Sequence, residues 1–95
     1  MNISIDSDAK EYLLDRGSTV TVEAAIMSGC FGVTKEPVLF AKKPEDPAGY
    51  DLVLVEGIKV YIIKEAVISS AGANIYLAGD TAYKSLEING LRYEI

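Results

Sequence analysis

The chain has 95 residues, 49% hydrophobic and 24% charged, with Lys+Arg 9 against Asp+Glu 14 for a net charge of −5. This is one domain, residues 1–95, of ordinary soluble globular composition, long enough for a single core that removes roughly 60 to 65% of the unfolded surface from water. One cysteine, Cys30, and no histidine exclude Ser-His-Asp and Cys-His nucleophile pairs, His-ligated zinc, an intrachain disulfide, a CxxC redox motif and a four-ligand structural zinc site.

Any metal or redox chemistry must therefore be shared between chains. The nine basic residues are scattered, with only Lys42 and Lys43 adjacent, so no nucleic acid is expected as a partner. Residues 1–7 lack a basic start and an apolar stretch, and the longest apolar run is four or five residues, far from the ~20 that span a bilayer. The expectation is no membrane and a cytoplasmic location, where a free thiol stays reduced.

In chain order, residues 2–5 alternate polar and apolar as a short strand. Asp6-Ser7-Asp8 offers N-caps for a helix over 7 or 8 to 16, whose Ala9, Tyr12, Leu13 and Arg16 share one face and which Gly17 stops. From Ser18 the period becomes 2, and residues 19–26 form a β-branched strand. Residues 27–36, with two glycines and the cysteine, read as a loop, and residues 37–41 as a strand opening on a proline that has no ladder donor to give. Residues 42–49 form a solvated loop. Residues 51–55 and 58–63 are two strands about a tight turn at Glu56-Gly57. Residues 64–70 read as one or two helical turns, and 74–78, 82–88 and 91–95 as strands, the last two joined by the hairpin signal Asn89-Gly90. The sum is a mainly β, α+β domain: antiparallel strands in a sandwich or distorted barrel, with an N-terminal helix and a second, short one.

One segment has chemical character. Ser28-Gly29-Cys30-Phe31-Gly32 follows a strand, and glycines on both sides of a thiol let the backbone turn and expose it, with amide N–H groups close by to favour the thiolate. The alternative reading is structural: free cysteine is among the most buried residue types, and the general tendency favours a small hydrophobe in a glycine turn. Lys35 stands five residues on; it either favours the thiolate by proximity or points at water. The six tyrosines are read as cross-strand packing residues with wet hydroxyls. Asp46, Asp51 and Glu56 lack EF-hand spacing and are read as a solvated acidic edge.

At this loop the chain resembles the HesB-like (IscA-like, A-type) iron–sulfur assembly proteins. Gly29, Cys30 and Gly32 match their Gly-Gly-Cys-Ser-Gly loop, the run from Glu56 through Gly57 to Ile62 resembles their strand pair about a glycine, and residues 73–88 resemble, loosely, a later conserved segment. The order and spacing carry the likeness. The resemblance implies a HesB-like domain, non-enzymatic, related to cluster assembly or carriage, with Cys30 as the one candidate ligand or reactive thiol. It also implies an iron–sulfur cluster or iron shared between subunits or with a partner, and a homodimer or an iron–sulfur or thiol partner protein. The family's terminal Cys-Gly-Cys is absent here, and clusters are normally held by four thiolates. A closer likeness is to short members with Cys-Cys or Cys-selenocysteine in this loop, where Phe31 now occupies the second position. A module of the same fold that has lost metal and redox chemistry is the competing reading.

Overall fold

The computed structural model describes residues 2–30, 32–79 and 84–93. Strand β1 (Ile3–Ile5) buries both isoleucines and leads into helix α1 (Ser7–Leu14). Asp6 caps the helix with extended backbone but no side-chain bond, while Asp8 turns its carboxylate to the Ala9 amide at 2.8 Å. Ala9 and Leu13 are fully buried, as the 3.6 period requires. The helix stops at Leu14, two residues short of the predicted end, because Gly17 (φ +95°) and Ser18 (φ +57°) take left-handed backbone. The amides of Arg16 and Ser18 both donate to the Leu13 carbonyl, closing the last turn.

The remaining strands are β2 (Thr19–Gly29), β3 (Gly32–Phe40), β4 (Tyr50–Val55), β5 (Ile58–Ile63), β6 (Ala66–Ile68), β7 (Ala73–Gly79), β8 (Lys84–Asn89) and β9 (Leu91–Tyr93). They form three open sheets, ordered β3-β2-β5-β4, β1-β7-β8 and β6-β9. The core lies between the first two. Val20, Val22, Ile58, Val60 and Ile62 face Ile3, Ile5, Ala73, Ile75, Leu86 and Ile88, and α1 adds Ala9 and Leu13. Each fully buried aliphatic side chain contributes about 1.5–3 kcal/mol, so this layer holds the molecule together. The mainly β, α+β architecture expected from the sequence is present, as an unclosed sandwich.

Four local expectations are corrected. Pairing is mixed, not purely antiparallel: β1 runs parallel to β7 and β2 parallel to β5, because the loop after β3 carries the chain across the sheet before β4 and β5 return beside β2. Residues 64–70 hold strand β6, paired with β9, and not a helix; among the described residues the one short helical turn is a 3-10 turn at Pro47–Gly49, where the Asp46 carboxylate accepts the Ala48 amide at 3.1 Å. Within residues 27–36, 27–29 belong to β2 and 32–36 to β3, where a loop was expected. Asn89-Gly90 joins no hairpin: β8 pairs with β7 and β9 with β6. Gly90 (φ +77°) bends the chain from one sheet to the other, and a Cβ on it would lie 2.2 Å from the Gly72 carbonyl oxygen. The expected strand ends at 82–83 and 94–95 lie outside the described residues.

Candidate functional site

Strand β2 is eleven residues long but pairs with β5 only from Thr19 to Val22. Beyond that point its sole strand partner among the described residues is β3, through nine antiparallel rungs from Thr21↔Phe40 to Gly29↔Gly32. Seven residues at ~3.3 Å each put Gly29 roughly 23 Å past the last rung with β5. The two strands form an arm whose connection is two residues, Cys30 and Phe31. Phe31 itself lies outside the described residues.

Cys30 is exposed and unpaired at this tip, which removes the reading of a buried hydrophobe. Ser28, Gly29 and Gly32 are exposed with it. Gly32 has φ +113°, so it supplies the turn backbone that a side chain resists, while a Cβ added at Gly29 or Gly32 would meet nothing within 4 Å. Among the described residues nothing packs where a side chain at either glycine would stand.

Lys35 is not beside the thiol. It stands on the rung opposite Ile26, three rungs below the last one, and its ammonium lies 3.0 Å from the Glu65 carboxylate. Asp46, Asp51 and Glu56 do not converge, and among the described residues no three His, Cys, Asp or Glu side chains could hold a metal ion together. One thiolate does not fit a resident iron–sulfur cluster, which takes four.

The arm also carries exposed apolar groups that sequence reading passed over. Ile26 is 68% and Val33 62% exposed, and the register puts them on one face, with Ile26 next to Ser28↔Val33 along the ladder. This is the face that β2 buries in the core at Val20 and Val22; past the core the same face is exposed at Ile26 and Ser28. The signal was the partial alternation and apolar end of residues 20–26, which outrun the strand that β2 pairs with on that side.

On the opposite face, Thr21, Glu23, Phe40, Lys42 and Tyr50 line a cavity of about 540 Å³. The Thr21 hydroxyl donates to the Lys42 carbonyl at 2.6 Å, and the Tyr50 hydroxyl donates to the Glu23 carboxylate. That hydrogen bond, with burial and the Glu23 charge behind it, raises Tyr50 from 10.0 to about 12. Tyr93 donates to the Glu23 backbone oxygen at 2.9 Å, and burial raises it to about 12. Tyr12 and Tyr61 pack on or in the core, so these tyrosines do the structural work expected of strand tyrosines. Tyr83 lies outside the described residues.

The backbone matches a crystal structure of Escherichia coli SufA, described as involved in biosynthesis of iron-sulfur clusters, with a TM-score of 0.61 at 11% identity over 94% of this chain and 80% of that one. That similarity establishes the HesB-like fold. No curated protein sequence matches. A family model described as "CC/Se motif containing family" matches residues 1–91, and on that match the chain belongs to the CC/Se motif containing family.

Proposed function

We propose that this is a non-enzymatic HesB-like domain of iron–sulfur cluster assembly that offers Cys30 as a single ligand or reactive thiol to a partner, the other ligands coming from outside the chain. The observation that carries the reading is the position of Cys30: the one thiol of the sequence stands exposed at the end of an arm that leaves the core. Presentation of a thiol away from the body suits delivery to another molecule and not enclosure of a cofactor. The fold shared with SufA supports the iron–sulfur context. Phe31 in the second position of the loop replaces the second chalcogen of the Cys-Cys and Cys-selenocysteine members, which leaves thiol exchange with a partner or one-ligand binding as the available chemistry.

The exposed Ile26 and Val33 favour a second reading, a protein-interaction module in which the arm docks and the thiol does nothing. Anaerobic reconstitution with iron, sulfide and glutathione separates the two. The proposal expects a visible-region chromophore with wild type and its loss with Cys30→Ser; a chromophore that survives Cys30→Ser, or none in either, leaves the interaction module.

A further inference from the structure

The β6–β9 sheet meets the arm at two places. The Tyr93 hydroxyl donates to the Glu23 backbone oxygen at 2.9 Å, and the Glu65 carboxylate holds the Lys35 ammonium at 3.0 Å. On the small sheet the two holding groups are neighbours, since Tyr93 stands opposite Ala66 and Glu65 precedes Ala66 in the chain. Burial, and after it the Glu65 charge, raises the Tyr93 hydroxyl from 10.0 to about 12, which agrees with that proximity. On the arm the points they hold are apart: Glu23 belongs to the rung Glu23↔Val38 and Lys35 to the rung Ile26↔Lys35, a separation of roughly 10 Å along the ladder. The small sheet is itself seated on the body, with Ala66, Ile68 and Leu91 packed against the core and the Ser69 amide donating to the Gly90 carbonyl at 2.8 Å.

We propose that Glu65 and Tyr93 are positioning residues for Cys30, which brace the arm from the β6–β9 sheet and thereby set where the thiol stands relative to the body. One hold on a two-stranded arm leaves a hinge; a second, displaced along the ladder, fixes its direction. Only the rungs from Met27↔Thr34 to Gly29↔Gly32 lie beyond the outer hold, so a tilt taken up below them carries the tip with it. The two holds respond to different conditions. Lys35 and Glu65 keep 22% and 40% of their side-chain surface exposed, so salt screens that pair, whereas a bond from a neutral hydroxyl to a backbone carbonyl escapes such screening. Salt therefore frees the outer hold and leaves the arm turning about Glu23. The thiol is exposed at the tip in either case, so a small reagent reaches it equally; what the brace governs is the place at which a partner finds it. This rests on the reading of Cys30 as a presented thiol, but the brace is read as a distance, with no chemistry asked of Cys30 beyond labelling.

Spin labels on Cys30 and on Glu11→Cys, at an exposed position of α1, give the separation of tip and body by pulsed electron resonance on the full chain. At low salt the distribution is expected to be narrow, and to broaden with Glu65→Ala and with Tyr93→Phe while far-UV spectra show each variant folded. Salt of about 1 M, where charges act over only ~3 Å, is expected to broaden the otherwise unsubstituted chain to the width of Glu65→Ala and to leave Glu65→Ala unchanged. Exchanging the charges, Lys35→Glu with Glu65→Lys, is expected to restore the narrow low-salt distribution, a recovery that a loss of packing alone would not show. An unchanged width in either single variant, or a charge exchange that stays as broad as Glu65→Ala, overturns the proposal. Should Tyr93→Phe fail to fold, Glu65→Ala and the charge exchange decide. Failure of iron and sulfide to give a chromophore with wild type would remove the functional reading and leave these distances as they are.

Discussion

Lys35 meets Glu65 at 3.0 Å, and that contact ties the thiol-bearing arm to the turn before β6. It has a chemical consequence, because it fixes the cation nearest to Cys30 in sequence on a rung opposite Ile26, well below the tip. Lys35→Met is therefore expected to leave the rate of Cys30 alkylation equal to that of wild type under the same conditions. The same variant should cost no more than about 1 kcal/mol in denaturant unfolding, the range for a partly exposed pair. A changed alkylation rate would show that the lysine acts on the thiol.

Tyr50 and Tyr93 make stability depend on pH at the alkaline end. Both hydroxyls are raised from 10.0 to about 12, Tyr50 first by its hydrogen bond to Glu23 and Tyr93 first by burial. The folded state holds these protons more tightly than the unfolded chain does. Their contribution is thus fully present below pH 10 and is lost as pH rises from 10 to about 12. Unfolding midpoints should fall across that window, and absorbance titration at 295 nm should show the Tyr50 and Tyr93 hydroxyls ionising late. Tyr50→Phe should remove one late proton and soften the fall.

Two glycines at turns of the chain should respond oppositely to an added methyl group. Gly90→Ala places a Cβ 2.2 Å from the Gly72 carbonyl at a φ of +77°, where the obstacle is backbone and cannot swing aside. A loss of about 2–4 kcal/mol is expected, from strain and from separation of β6-β9 from the core. Gly29→Ala meets nothing within 4 Å and has no left-handed φ, so thermal midpoints should barely move. Equal effects at the two positions would mean that the crossing at Gly72 is not where it stands.

The contrast marks what the sequence could reveal. The 3.6 period named Ala9 and Leu13, and the β-branched runs named Val20, Val22, Val60 and Ile62; burial of one face produced both signals, so reading them recovered the core. Asn89-Gly90 announced a sharp turn correctly in its dihedral, but a local signal cannot say which strands pair. Ile88 lies opposite Ile75 and Leu91 opposite Ile68, and those non-local partners pulled the two strands into different sheets. Residues 27–36 read as a loop because their two glycines and mixed composition show no period. Their strand character comes from the nine-rung ladder with a neighbour, and only the rungs reveal that the glycine-cysteine segment is the tip of an arm and not a pocket. Glu23 and Tyr50, 27 residues apart, carried no sequence signal at all.

That placement yields the most direct test of whether Cys30 can do chemistry. Exposed at a two-residue connection, the thiol should react with an aromatic disulfide reagent in the native protein about as fast as in denaturant. Cys30→Ser should change stability by less than about 0.5 kcal/mol, since no buried volume or hydrogen bond is lost. The opposite pair of results, slow native labelling and a cost of 1–3 kcal/mol, belongs to a buried cysteine whose removal leaves a cavity. Fast labelling with unchanged stability would mean that the residue is dispensable to the fold, so a loss of iron-dependent colour in Cys30→Ser would then be attributable to lost ligation and not to unfolding.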